Sequence, residues 1–333
     1  MYNIVLINGD GIGPEITESV IRITEAAQVN INWISATAGL EAYEKGGNPL
    51  PDKTVQLIEE HKIALKGPLT TPVGSGFRSI NVALRQKFDL YCNLRPAKTL
   101  PGVMTRYDKI DLVTFRENTQ GIYIGEERYL NDDKTAAETI AVVTRKASER
   151  IVRVAFEYAR KHGRKKVSLI HKANILKFTS GLFLNVGREI SEEYPDIAFN
   201  DMIIDNTAMQ MVMHPENFDI LVTTNLFGDI LSDLAAGLVG GLGVTGSANM
   251  GDHYAIFEAV HGSAPDIAGQ GKANPTALLL SAVMMIEHIG ESEKAEIIQK
   301  AIHKTLPDKS VATPDLGGKG NTRTYTDAII RNL

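Results

Sequence analysis

Short β-rich runs alternate with helical patterns along most of the chain, and this alternation limits the fold more than any single motif does. Strand candidates are Asn3–Ile7, Leu112–Phe115, Val167–His171, Asp201–Ile204 and Ile220–Thr223, and helical patterns cover Pro14–Ala27, Ser148–Lys161, Gly181–Glu192 and Pro275–Ile289. Strand followed by helix, repeated, predicts an α/β architecture with a largely parallel sheet. The 333 residues suffice for one large domain or two ordinary ones. Pro96 and Pro101 mark a turn-rich crossing near Arg95–Gly102, and the glycine-rich stretch Gly237–Gly251 marks a second. Two crossings predict a discontinuous large domain, residues 1–96 with 250–333, and a small domain, residues 97–249. Asp132 and Asp133 read as a surface loop.

Composition excludes several classes. With 35 basic and 40 acidic residues the net charge is -5, which disfavours a nucleic-acid groove. One cysteine, Cys92, rules out an intrachain disulfide, and its apolar setting suggests a small buried residue. No apolar run reaches membrane-spanning length, so no membrane partner is expected. The N-terminus begins almost at once with Ile4-Val5-Leu6-Ile7 and has no basic segment before it, which suggests a cytoplasmic protein, although a mature organellar chain would look the same.

The first strand leads into Gly9-Asp10-Gly11-Ile12-Gly13-Pro14-Glu15. A classical dinucleotide fingerprint needs its third glycine where Pro14 stands, so this is a strand–turn–helix junction without a Rossmann loop. Pro14 suits a first helical turn. A tight structural turn explains the glycines as well as a ligand loop does.

The most informative segment is Phe227-Gly228-Asp229-Ile230-Leu231-Ser232-Asp233-Leu234. Phe227, Ile230, Leu231 and Leu234 follow helical spacing, and Asp229 and Asp233 lie four apart on one face. Such a pair repels by about 0.2–0.5 kcal/mol when exposed, and a hard divalent cation would turn that cost into binding. An ordinary solvated helix face is the simpler account of the pair alone. The apolar helix and the preceding Thr223-Thr224-Asn225 strand end weigh against it. Asp205, after another strand candidate, is a plausible third ligand. Lys172 follows the strand Val167–His171, where a base can sit, although a lone lysine is ordinarily a solvated surface group. Arg85, Arg95 and Arg116 could clamp a polyanion or form plain surface ion pairs; spacing does not choose.

Taken together, the motifs resemble the β-decarboxylating dehydrogenases, the family of isocitrate, 3-isopropylmalate, homoisocitrate and tartrate dehydrogenases. They are GDGIGPE (9–15), KGPLTTP (66–72), SINVALR (79–85), NLRP (93–96), RENTQGIY (116–123), HKANILKFT (171–179), DNTAMQMV (205–212), TTNLFGDILSDLAAGL (223–238) and HGSAPDIAGQGKANP (261–275). The resemblance implies the two-domain isopropylmalate dehydrogenase-like fold, a mixed sheet flanked by helices. It implies Mg²⁺ or Mn²⁺ on Asp229 and Asp233, with Asp205 supplied by a second subunit of a homodimer or higher homo-oligomer. By the same resemblance Arg85, Arg95 and Arg116 hold substrate carboxylates, and Tyr123 and Lys172 form the acid–base pair. The dinucleotide would contact Ile12, Leu69, Thr71, Glu258, His261, Gly262, Asp266, Ile267 and Asn274. Ser79 and Asn81 match isocitrate enzymes, where they hydrogen-bond a carboxylate; isopropylmalate enzymes carry an apolar residue there. Homoisocitrate is the runner-up substrate. A silent regulatory subunit is disfavoured because the metal ligands and the acid–base pair are all present.

Relatives that use NADP carry Lys-Tyr where this chain has Asp266-Ile267. A carboxylate bonds a free ribose hydroxyl and repels a 2′-phosphate, so NAD is expected. Steady-state kinetics of the wild type with both dinucleotides should show a clear preference for NAD; a clear preference for NADP would remove Asp266 as the discriminating group.

Overall fold

A computed structural model describes residues 1–70 and 79–333. In chain order the elements are β1 (Tyr2–Ile7), α1 (Gly13–Ala26), β2 (Ile31–Ala36), α2 (Leu40–Gly46), α3 (Asp52–His61), β3 (Ile63–Lys66), α4 (Ile80–Lys87), β4 (Cys92–Lys98) and β5 (Asp111–Glu117). There follow β6 (Glu127–Tyr129), β7 (Ala137–Thr139), α5 (Arg145–Lys161), β8 (Lys166–His171), α6 (Thr179–Ser191), β9 (Ala198–Ile203), α7 (Ile204–Met213), β10 (Ile220–Thr223) and α8 (Asn225–Leu238). The chain ends with β11 (Gly246–Met250), β12 (Ala255–Ala259), α9 (Thr276–His288), α10 (Ser292–Thr305) and α11 (Thr322–Arg331).

Ten strands form one sheet in the order β2-β1-β3-β12-β11-β4-β5-β10-β8-β9. Pairing is parallel at both ends and antiparallel where β11 lies between β12 and β4 and where β4 meets β5. The mixed α/β sheet is the expected one. The chain builds one end from β1–β3 and β12, the other from β5 and β8–β10, and sews them together along β11 and β4. Separate apolar clusters cover the two ends: Val5, Ile7, Ile58 and Leu84 in one, and Leu112, Ile170, Leu221 and Leu231 in the other. Among the described residues no helix is long and apolar enough to cross a membrane.

Helix formation follows local chemistry. In α5 the Thr144 hydroxyl accepts from the Ala147 amide, and Ile151, Val152, Ala155, Phe156 and Ala159 form the buried face. Pro14 occupies the first turn of α1, as expected. Cys92 is free and buried, and burial pushes its thiol pKa up. Asp132 and Asp133 lie in an exposed loop between β6 and β7.

Three local expectations are corrected. The stretch from Arg95 to Lys98 continues strand β4 instead of turning. Pro96 is tolerated there because β11 pairs with β4 only at Cys92–Leu94, leaving that edge unpaired beyond. The strand expected over Asp201–Ile204 runs instead from Ala198 to Ile203, and Asp205, which follows it, lies in the first turn of α7. Ile230 is exposed at 55%; the buried face of α8 is Leu231, Ala235 and Leu238, so the apolar residues of this helix face two directions.

The glycine junction is a structural turn. Gly9 (φ +80°) and Gly11 (φ +59°) have left-handed backbones, and a Cβ on Gly11 would lie 2.0 Å from the Ser263 carbonyl oxygen. The loop is clamped from both sides, Asp10 donating its amide to Pro68 (2.7 Å) and Ile12 donating to Ser263 (2.9 Å). The Asp10 carboxylate accepts from the Leu40 (3.0 Å) and Thr70 (2.8 Å) amides. Gly11→Ala should therefore lower stability by about 1–3 kcal/mol, read as a drop in the thermal unfolding midpoint; an unchanged midpoint would show that the loop can move away from Ser263.

Candidate active site

Where β4, β5 and α8 meet, five of the predicted residues converge. Arg116 is the last residue but one of β5, at 1% exposure. Its Nη1 donates to Asp229 Oδ1 and its Nε to Asn225 Oδ1 (2.8 Å), while its Nη2 is buried and has no partner among the described residues. Arg95 Nη1 donates to Ser232 Oγ and Asp233 Oδ1, both at 2.7 Å. Tyr123, on a 3₁₀ turn (Ile122–Ile124), donates its hydroxyl to Asp229 Oδ2 (2.6 Å) and lies 5.1 Å from the Arg116 guanidinium, measured at its ring centre. The predicted spacing holds: Asp229 and Asp233 stand one turn apart on α8, both partly solvent-facing.

Electrostatics make this cluster ready for anions. Burial, with the nearby Arg85 and Arg95, pushes the Arg116 pKa down to about 10 despite Asp229. Burial would raise Asp229, but Arg116, the Tyr123 hydrogen bond and Arg95 prevail and hold it below the ordinary carboxylate range. Burial and the bond to Asp229 raise the Tyr123 phenol. An orphaned guanidinium nitrogen inside a group of arginines favours any carboxylate that enters.

Beneath this cluster lies a second charged group. Glu258 on β12 is buried, with Lys66 Nζ at 2.7 Å, Arg85 Nη2 at 3.3 Å and Asn249 Nδ2 at 2.7 Å. Asn249 in turn accepts from Asn93 (3.0 Å) and Asn118 (2.9 Å), giving an amide chain across the sheet. Lys66, Asn81, Arg85, Asn249 and Glu258 line a small cavity in which Asn81 Oδ1 and Arg85 Nε have no partner among the described residues. Ser79 caps α4, accepting from Val82 at 3.5 Å.

The remaining predicted residues fall in two places. Lys172 Nζ donates to Asp205, which lowers the Asp205 carboxyl pKa. This pair stands apart from Asp229 and Asp233: among the described residues no three His, Cys, Asp or Glu side chains converge as a metal cage. The second place is the loop after β12 and its neighbours. His261 Nε2 is buried and has no partner among the described residues, Gly262 and Asp266 are exposed, and Ile267 packs on the core. Asn274 donates to Asp315 (2.9 Å). Ile12 and Leu69 are buried on the facing turn, and Thr71 lies outside the described residues. A surface groove of about 630 Å³ lined by Thr105, Arg106, Tyr107, Val212 and Gly240 contains none of these residues.

The donor chemistry suits the ligands implied. Two hard carboxylates on one helix face match what Mg²⁺ or Mn²⁺ takes from protein, and the unpartnered His261 nitrogen and exposed Asp266 suit a polar dinucleotide. Sequence reasoning missed Lys66, Asn225, Asn249 and Asp315. Lys66 and Asn225 lie inside the family motifs, but nothing local signals their long-range partners.

Sheet, crossing strands and carboxylate-bearing helix together define a family. The chain belongs to the isocitrate/isopropylmalate dehydrogenase family, whose model matches residues 3–329. Within it, the chain is 49% identical to the NAD isocitrate dehydrogenase catalytic subunit 5, mitochondrial, of Arabidopsis thaliana, over 98% of this chain and 87% of that protein. It is 47% identical to a mitochondrial regulatory subunit of NAD isocitrate dehydrogenase from Dictyostelium discoideum, over 100% of this chain and 92% of that one. The crystal structure of isocitrate dehydrogenase from Methylococcus capsulatus superposes with a TM-score of 0.97 at 56% identity, covering 100% of this chain and 99% of that one. The cytoplasmic expectation is corrected by these relatives: the curated ones are named mitochondrial, which points to the mitochondrion. An address is read from a leader and not from folded residues, so the first strand was no guide to it.

Buried charge carries part of the stability. Burial works to raise the Glu258 carboxyl pKa, but Lys66 and Arg85 hold it well below the usual range. A depressed carboxyl lends stability above its unfolded value of about 4.3 and loses it as the pH falls. Glu258→Gln, which leaves Lys66 and Arg85 buried without their anion, should cost about 3–5 kcal/mol in denaturant unfolding at neutral pH; a cost under about 1 kcal/mol would mean that the cations reach solvent.

Proposed function

We propose that this chain is an NAD-dependent isocitrate dehydrogenase, oxidising isocitrate and releasing CO₂ to give 2-oxoglutarate. The observation that carries this reading is the buried Arg116 guanidinium, whose Nη2 has no partner among the described residues, set among Arg85, Arg95 and two helix carboxylates, in a chain closely similar to NAD isocitrate dehydrogenase subunits.

In this reading Arg85, Arg95 and Arg116 take the substrate carboxylates, and Ser79 and Asn81 bond the one that distinguishes isocitrate from an isopropyl-bearing substrate. Asp229 and Asp233 hold Mg²⁺ or Mn²⁺, and Asp205 from a second copy of the chain is the third ligand. A cation bound there supplies charge stabilisation for the oxygen that becomes carbonyl and then enolate. Arg95 and Arg116 must first release the two carboxylates, and the incoming substrate carboxylates give them new partners. Lys172 from the second copy helps to remove the hydroxyl proton, and Tyr123 returns a proton to the enol carbon. NAD, accepting the hydride, would lie along Ile12, Leu69, Thr71, Glu258, His261, Gly262, Asp266, Ile267 and Asn274. Of these, Glu258 acts from beneath, through Lys66 and Arg85.

The sheet order supports a division into two halves joined along β4 and β11, since the proposed dinucleotide residues sit on one half and the carboxylate-bearing helix on the other, although residue 96 itself lies within β4. Exposed apolar residues support a shared site. Met209, Val212 and Met213 on α7, Leu226 and Ile230 on α8, and Ile175, Leu176 and Phe178 after β8 are all exposed, beside Asp205, Asp229 and Lys172. Because the chain carries both halves of the site, a second copy suffices as partner and a homodimer is the simplest assembly. The relatives' names, catalytic and regulatory subunits, do not themselves support a homo-oligomer. The kinship to a regulatory subunit is set aside because Tyr123, Lys172, Asp205, Asp229 and Asp233 are all present.

The test is NADH formation with Mg²⁺ on isocitrate, homoisocitrate and 3-isopropylmalate. Isocitrate should be preferred; preference for homoisocitrate would discard Ser79 and Asn81 as markers. In the same assay Asp229→Asn should lower turnover on the order of a hundredfold or more while leaving the unfolding midpoint near wild type, because α8 buries an independent apolar face. Near-normal turnover would remove Asp229 from the metal site.

A further inference from the structure

Asn225 opens α8 with its side chain enclosed, at 1% exposure. Its amide is used in both directions. Oδ1 accepts from Arg116 Nε (2.8 Å), and Nδ2 donates to the Gln120 carbonyl (2.9 Å). Turning the amide over would set N–H against N–H and oxygen against oxygen, so only one orientation is satisfied. Arg116 is further seated by Gly228, where a Cβ would come 2.6 Å from the arginine Cβ and Cγ. Gln120 is followed by Gly121, with φ 77° and ψ -145°, and then by the turn that carries Tyr123.

The turn has other attachments, but they hold it elsewhere. The Glu117 carboxylate accepts from the Thr119 (3.0 Å) and Gln120 (2.9 Å) amides, tying the turn to β5. The Gln120 side chain bonds Thr144, and Gly121 bonds Val142, both at the approach to α5. Among the described residues two hydrogen bonds join the turn to α8: Tyr123 to Asp229 and Asn225 to Gln120. The first is given up once Asp229 turns to a cation. The second is made to a backbone carbonyl and survives that change.

We infer that Asn225 is a positioning residue for the proposed reaction: one buried amide sets the Arg116 guanidinium and the Tyr123 turn relative to each other across the start of α8. This rests on the functional reading above. Asn225 touches neither substrate nor dinucleotide in it, and acts through the clamp on one side and the proton donor on the other.

Asn225→Asp separates the two roles. It is almost isosteric, keeps an oxygen for Arg116 Nε, and places a second oxygen against the Gln120 carbonyl. Binding should hold while the turn springs away. The expected result is a KM for isocitrate within about threefold of wild type and a kcat lower by about ten- to a hundredfold, the scale of a misplacement near 1 Å. Stopped-flow should show NADH from the first turnover forming at close to the wild-type rate, followed by a slow steady state. A residue that merely stabilised the fold would not split the two phases. Asn225→Ala removes both bonds and should raise KM as well. If Asn225→Asp does not fold, Gly121→Ala decides, because it strains the turn at a glycine-only conformation without touching Arg116; it should reproduce the kcat loss at unchanged KM. Wild-type kcat in the folded variant, or an effect confined to KM, overturns the inference. A wild type inert toward isocitrate and NAD overturns the functional reading, and the positioning role falls with it.

Discussion

A single buried carboxylate, Glu258, is the interaction on which the middle of this molecule depends. It stands on β12 with Lys66 of β3, Arg85 of α4 and Asn249 of β11 around it. A charge so enclosed is tolerable only with its partners in place, so strand β3, helix α4 and strand β11 must assemble around it together. From Asn249 the polar contacts continue to Asn93 of β4 and Asn118 beyond β5. These are the strands where parallel pairing gives way to antiparallel. Apolar packing runs along the whole sheet, through Leu94 and Ala248 of the seam strands as well, and at the seam an ion group and an amide chain add register. Polar contacts specify direction and partner more sharply than aliphatic contacts do.

The same logic runs through the candidate site. Three arginines near one another repel, and the burial of Arg116 makes it harder still to keep charged, as the lowering of its pKa to about 10 reflects. Asp229 and Asp233 relieve that repulsion in the free chain. In the proposed reaction the carboxylates change partners, from arginine to cation, and the substrate replaces them on the arginines. Loading substrate and metal together thus avoids leaving the buried arginine or the partly exposed carboxylates without a partner, which either one binding alone would do.

Much of this was legible because it is local. The i, i+4 spacing of Asp229 and Asp233, the helical start at Pro14 and the strand at Ile220–Thr223 are all decided by residues a few positions apart. The failures are the nonlocal ones. Pro96 suggests a turn until one knows that β11 leaves that edge of β4 unpaired. Ile230 suggests core until one sees that α8 has an apolar residue on a second face. The pairing of Lys66 with Glu258, and of Arg116 with Asn225, links segments more than a hundred residues apart, and no periodicity carries that information. The motif resemblance supplied roles for residues whose surroundings the chain alone could not give.

Cys92 lies in β4, next to the seam and opposite both Met250 and Glu117. It is the one thiol of the chain, and burial keeps it protonated. A thiol in that state does not react where it stands, since the thiolate is the nucleophile and burial beside Glu117 disfavours its charge there. Covalent capture of this sulfur therefore measures how often the central strands part, and the protein carries within its own sequence a clock for the breathing of its seam.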